Sequence, residues 1–234
     1  MSVGESGGPL DWAAIRLVAF DVDGTLYRQR RLRGRMAVSI LAHATANRTL
    51  GALRVLRAYR RIREDMAERE VEDFEPALIH ATAAATGRPG RDIRAIVREW
   101  IEERPLSHLL ACRYRGLPDL FDGLKRNGKI IGVLSDYPAA AKLAALGLVA
   151  DHVVHAGDHG VGVLKPHPRG LQALMAAAGV RPDETVLIGD RANRDGEAAR
   201  RAGAAALIRS SSPLDGWRTF ARYDDPPFAA LLQH

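Results

Sequence analysis

Ile15-Arg16-Leu17-Val18-Ala19-Phe20 runs directly into Asp21-Val22-Asp23-Gly24-Thr25-Leu26, and the reading of this stretch decides the fold. The run 15–20 has too little polar alternation for a half-exposed strand. It therefore predicts a strand buried on both faces, as in parallel sheets covered by helices. Asp21 then falls at the carboxyl end of that strand, where open α/β sheets bind ligands. Two carboxylates one residue apart, followed by a glycine and a small hydroxyl residue, present both acids beside one loop where a phosphate could bind. Taken alone, Asp-x-Asp-Gly also fits a solvated turn or a calcium loop, so the rest of the chain must decide.

Downstream, from about Arg30 to Arg104, strand signals disappear and helical periodicity takes over. Helices are predicted over 36–47 and 50–69, the second with Leu53, Leu56, Ile62 and Met66 on one face and arginines on the other. Pro76 suits the first turn of a third helix ending near Thr86. After the break Gly87-Arg88-Pro89-Gly90, a fourth spans 92–103, and Arg104-Pro105 closes this four-helix unit. Beyond it, helices alternate with short apolar strands: helix 117–127, strand 129–134, helix 138–146, strand 151–155, helix 169–178, strand 185–188, helix 196–202 and strand 204–208. This order predicts an α/β fold with a doubly wound parallel sheet. The expected division is a core of 1–27 and 113–234 interrupted by a helical segment, 28–112. The Gly- and Ser-rich lead-in 1–10 is expected to be mobile, with Trp12 anchoring its end, and the tail 210–234 to wrap the core.

The chain has 234 residues, 47% hydrophobic and 26% charged, enough for one large domain or a core with an insertion. Its net charge of +6 is unevenly placed: positions 28–115 hold 19 Arg, no Lys and 11 acids. The excess of +8 there faces a balance of −2 elsewhere. Such a surface suits an anionic substrate, nucleic acid or anionic lipid, and equally a set of solvated helix faces, since Arg is a good helix former. The single cysteine, Cys112, excludes an internal disulfide and fits a reducing compartment. With neither a long apolar run nor a secretory signal, no membrane span is expected, and the expected location is cytoplasmic.

Three further motifs sit at or just after predicted strand ends: Ser135-Asp136, Lys165-Pro166-His167-Pro168, and Gly189-Asp190-Arg191-Ala192-Asn193-Arg194-Asp195. In this order, with Gly116-Leu117-Pro118 before the second and Ala199-x-x-Ala202-Gly203 after the fourth, the chain resembles the haloacid dehalogenase (HAD) superfamily over about 15–208. That resemblance implies a Rossmann-like core, with segment 28–112 in the place of the family's C1 cap. It implies a magnesium-dependent phosphotransferase in which Asp21 attacks phosphorus to give an aspartyl-phosphate and Asp23 is the general acid and base. Ser135 would donate to a phosphate oxygen, and Lys165 would neutralise charge on nucleophile and phosphate. Gly24, Thr25 and Asp136 complete the implied phosphate cradle. Mg²⁺ would be held by Asp21, the backbone carbonyl of Asp23, and Asp190, with Asp195 as a ligand or just behind it.

Among the activities of that superfamily, carbon–halogen hydrolysis is disfavoured because dehalogenases lack an acid at the position of Asp23. Phosphonate cleavage relies on a cap lysine, and 28–115 has none. Phosphomonoester hydrolysis ranks first and a sugar-phosphate mutase second. A binding protein using its basic cap is the reading from another class. The expected partner is a small phosphorylated metabolite, with phosphoglycolate or a sugar phosphate as the guess, and no nucleic acid. Tyr27 and the cap arginines are candidate substrate contacts. Arg191 and Arg194 depart from the small or polar residues common in the fourth motif. His43, His80 and His108 read as helix-surface or packing residues.

Overall fold

The computed structural model describes residues 10–46 and 51–233. The predicted lead-in up to residue 9, the helix ends expected at Asn47 and Leu50, and the side chain of His43 lie outside what is described.

Five predicted strands form, β1 (Leu17–Phe20), β2 (Ile130–Ser135), β3 (His152–His155), β4 (Thr185–Gly189) and β5 (Ala205–Arg209), and a sixth, β6 (Thr219–Phe220), joins them. All pair in parallel, in the order β3-β2-β1-β4-β5-β6. Strand β1 is buried throughout, as expected for a strand covered on both faces. Its side chains alternate between two apolar layers. Val18 and Phe20 join Ile131, Val133, Val186 and Ile188 on one face, whereas Leu17 and Ala19 join Leu171, Leu174, Leu187 and Ala198 on the other. Helix α6 (Leu117–Arg126) supplies the first layer, and α8 (Arg169–Ala178) and α9 (Glu197–Ala202) the second. The chain is therefore an α/β protein with a doubly wound parallel sheet.

From β1 the chain winds outwards through β2 and β3, then returns to the other side of β1 for β4, β5 and β6. The loops after β1 and β4 consequently diverge, opening a crevice at the carboxyl ends of two neighbouring strands. Asp21 and Asp190 follow those strands, and the Asp21 N–H still donates to the Ile188 carbonyl at 2.9 Å.

Between β1 and β2 lie α1 (Gln29–Ala46), α2 (Gly51–Glu68), α3 (Phe74–Thr86) and α4 (Gly90–Val97). The last continues as a π-helical stretch, Arg98–Glu103, so the expected fourth helix is two geometries in series. Helix α1 starts seven residues before the expected position 36: Gln29–Arg35 offers only Leu32 to an apolar stripe, but its arginines are good helix formers. The predicted stop at Arg104-Pro105 is followed by another short helix, α5 (Leu106–Leu109). Segment 28–112 leaves and returns at adjacent points: the Arg28 N–H donates to the Cys112 carbonyl at 2.9 Å, and the Tyr114 N–H to the Leu26 carbonyl at 3.2 Å. Val55, Leu56, Phe74, Leu78, Ile93 and Trp100 share one contiguous apolar cluster with the sheet.

The tail is more ordered than a wrapping segment. Strand β6 extends the sheet, and Phe220, Tyr223 and Phe228 stack as an aromatic group with centroids 4.9–5.8 Å apart. Trp12 packs on Phe228 and donates its indole N–H to the Pro227 carbonyl. The Tyr223 hydroxyl donates to the Thr25 carbonyl at 2.7 Å, bracing the loop after β1.

Candidate active site

A cavity of about 520 Å³ opens at the carboxyl end of the sheet, lined at its base by Asp21, Asp23, Asp136, Lys165, Asp190 and Asp195. The fold thus brings six of the nine predicted site residues to one surface. Gly24, Thr25 and Ser135 stand behind it. Thr25 is buried and donates its hydroxyl to Asp21 Oδ2 at 2.9 Å. Gly24 has φ 105°, a conformation that L side chains rarely adopt, and a Cβ there would collide with the Asp190 carboxylate. Glycine is therefore what allows β1's loop to lie against β4's. Ser135 ends β2, and its buried Oγ accepts the Tyr137 N–H at 3.2 Å.

The Lys165 ammonium is buried between two acids, donating to Asp21 Oδ1 and Asp195 Oδ1 at 2.6 Å each. Burial opposes its charge, but Asp195 and Asp21 outweigh it and hold the amine well above its ordinary pKa. Burial raises the Asp21 carboxyl well above the usual range, with Lys165 pulling the other way and Asp195 and Asp190 adding to the rise. Asp190 is pushed up to about 6, by burial first and then by Asp195.

Asp23 is set differently. Burial would raise its carboxyl, but Lys142 overcomes this, helped by Tyr27 and Arg63, and the pKa is held below the ordinary value. Lys142 Nζ lies 2.7 and 2.9 Å from the two Asp23 oxygens, and the Tyr27 hydroxyl donates to Oδ1. Burial and the Asp23 charge keep the Tyr27 phenol well above its usual pKa, so it stays a donor. Lys142 was missed in the sequence. The signal was there: it is the only charged residue of α7 (Ala140–Leu146), AAKLAAL, and it is buried. Arg63 carried no such signal among so many arginines. It is buried, stacks on Tyr137 with its guanidinium 3.8 Å from the ring centroid, and donates to the Asp136 carbonyl.

The unusual arginines of the fourth motif face neither the cluster of acids nor open solvent alone. Arg191 and Arg194 both grip Glu64 of α2, at 3.0 and 2.9 Å, and Arg194 also donates to the Lys165 carbonyl at 2.9 Å. They tie the helical segment to the loops that carry Lys165 and Asp190. His80 is exposed and His108 half-buried, and neither lines the cavity.

The acids fit a divalent cation. Ligand oxygens of Asp21, Asp190 and Asp195 lie within 4.8 Å of one another. Asp190 Oδ1 is buried without a hydrogen-bond partner among the described residues, an expensive condition unless another group completes it. Asp195 is less available: Oδ1 takes Lys165, and Oδ2 accepts the Asp190 and Arg191 N–H groups at 3.2 and 3.0 Å. That pattern marks Asp195 as the residue that shapes the loop and Asp190 as the open donor.

No curated protein matches the chain significantly. Among solved structures it is similar to a 2-haloacid dehalogenase from Pseudomonas syringae pv. Tomato DC3000, at 19% identity, TM-score 0.65, and coverage of 92% of this chain and 98% of that one. YfnB from Bacillus subtilis, bound to magnesium, matches at 14% identity and TM-score 0.66, covering 90% and 96%. CbbY from Rhodobacter sphaeroides, in complex with phosphate, matches at 20% identity and TM-score 0.61, covering 93% and 99%. At such identities these likenesses establish the fold. The family model for haloacid dehalogenase-like hydrolases matches residues 15–203, and the chain belongs to that family of hydrolases.

Proposed function

We propose that the protein is a Mg²⁺-dependent phosphatase that hydrolyses a phosphomonoester through an aspartyl-phosphate on Asp21. The observation that carries this reading is Asp23: a second carboxylate on the same cavity, gripped by Lys142 and Tyr27, which carbon–halogen hydrolysis does not require. In the first step an Asp21 oxygen forms a bond to phosphorus as the bond to the ester oxygen breaks, and that oxygen takes the proton of Asp23. In the second, Asp23 accepts a proton from water as the water oxygen attacks phosphorus and the Asp21–phosphorus bond breaks, releasing phosphate. The negative charge of a bound phosphate opposes the pull of Lys142 and so favours the proton on Asp23 before the first step.

Lys165 holds Asp21 in place and supplies positive charge beside the transferring group, and Thr25 fixes the other nucleophile oxygen. Mg²⁺ on Asp21, Asp190 and the Asp23 carbonyl would neutralise phosphate charge, which three neighbouring carboxylates would otherwise repel. Residues 28–112 are proposed as a cap domain on a core of 1–27 and 113–234, with Glu64 and Arg63 among its links to the core. The proposed substrate is a small phosphorylated metabolite, and the proposed compartment is the cytoplasm, in keeping with one free cysteine. Among the described residues no helix is long and apolar enough to cross a membrane.

Phosphate release from a panel of phosphomonoesters, with and without Mg²⁺, tests the reading. Metal-dependent turnover that disappears in Asp21→Asn is expected. A folded, Mg²⁺-binding protein that turns over no member of the panel would overturn it.

A further inference from the structure

The cavity continues past the acids into a chamber beneath α1, α2 and the π-helical stretch, walled by Leu32, Met36, Ile40, Leu53, Trp100 and Ile101. Its total volume of about 520 Å³ exceeds what a phosphate needs and lies within the roughly 300–1,000 Å³ of small-molecule pockets. Among the described residues the chamber offers little to a polyhydroxylated ligand. Of the neutral polar side chains among the described residues of the cavity wall, Tyr27 is committed to Asp23, and Tyr137 presents its ring to Arg63, which leaves Gln29. Both Glu64 oxygens are taken by Arg191 and Arg194. Arg33, Arg60 and Arg61 also line the wall, but a guanidinium only donates. A sugar hydroxyl needs a donor and an acceptor, and one that enters an apolar chamber without them loses its water partners uncompensated.

We infer that this chamber takes an apolar organic group, alkyl or aryl, carried by a phosphorylated ligand whose phosphate sits at Asp21. The inference rests on the phosphatase reading for the placement of the phosphate, and it narrows the substrate to a phosphomonoester of an apolar alcohol instead of phosphoglycolate or a sugar phosphate. Such a ligand buries its organic group against six apolar side chains and loses no hydroxyl hydration in doing so.

Phosphonates, which carry a carbon–phosphorus bond and are not hydrolysed, separate binding from chemistry. Calorimetric titration of the full chain in saturating Mg²⁺ with methyl-, hexyl- and phenylphosphonate and the phosphonate isostere of glucose 6-phosphate should rank hexyl and phenyl at least about tenfold tighter than the other two. Ile40→Asn, at a half-buried wall position, should shrink the hexyl-to-methyl ratio roughly fivefold or more. Equal affinities along the alkyl series, or tighter binding of the sugar isostere, would overturn the inference. Phosphate release from hexyl phosphate and glucose 6-phosphate, run in parallel, tells the two readings apart. Turnover of a sugar phosphate with a flat alkyl series leaves the phosphatase standing and removes the apolar chamber. A steep alkyl series without turnover of any ester supports the chamber and removes the phosphatase.

Discussion

The rim of the sheet and the helical roof above it use charge in opposite ways. At the rim, Asp21, Asp23, Lys142, Lys165 and Asp195 are buried or nearly so and joined by short hydrogen bonds. On the roof, Arg33, Arg60 and Arg61 line the same cavity with exposed side chains. The rim is held by backbone register, because each acid follows a strand whose neighbours fix its position. The roof is held by apolar packing and by side-chain ties from α2 and the loop after it, Arg63 to the Asp136 carbonyl, Glu64 to Arg191 and Arg194, Glu70 to Arg201 and Glu72 to Arg169. The proposed chemistry thus sits where strand register fixes the acids, and the proposed choice of substrate sits on the helices above them.

The strongest way to break this contrast is at its centre. Asp21→Asn keeps the side chain's shape and removes the nucleophile, so phosphate release should fall by about 10⁴ or more while the fold, checked by circular dichroism, persists. Lys142→Met comes next. Turnover should drop by up to the roughly 10²–10⁴ that a general acid and base contributes. Because Lys142 holds the Asp23 carboxyl low, its loss should move the alkaline limb of the kcat/KM profile, where Asp23 loses the proton it gives to the leaving oxygen, to higher pH. A profile that does not move would mean that Asp23 is not the group being titrated.

Metal binding sharpens the comparison without a mutation. Mg²⁺ at about 100 times its Kd should add about 2.7 kcal/mol to stability, read as a rise in Tm. Below about pH 6 the increment should shrink, since the Asp190 carboxyl is then protonated and the cation must displace a proton; above it the increment should level off. A Tm shift of equal size at pH 5 and 8 would argue against Asp190 as a ligand. The smallest effect belongs to the roof. Glu64→Gln weakens two arginine contacts at a half-exposed position, so a loss of about 1 kcal/mol is expected, with KM raised more than kcat is lowered. Equal loss in both parameters would place Glu64 in the chemistry of the rim.

Much of the rim was legible because its signals are local. A run before Asp21 with too little polar alternation for a half-exposed strand reads as a buried one, and the strands at Ser135 and before Asp190 read the same way. Strand β6 was illegible because two residues carry no period. Lys142 was overlooked because a lysine in a helix is ordinarily solvated, and only its helix's position against the loop after β1 makes it a partner of Asp23. The roles of Arg191 and Arg194 were open for the same reason: their partner, Glu64, lies 127 and 130 positions away.

The sequence alone determined the alternating α/β order, the strand-end placement of Asp21, Ser135 and Asp190, and the acidic character of the site, since periodicity and residue type are properties of short stretches. The tertiary structure decided which acids lie close enough to share a cation, which described oxygen is left without a partner, what holds Asp23, and what kind of surface lies above them. These depend on contacts between segments far apart in the chain, and such contacts exist only once the apolar layers have packed and set the distances.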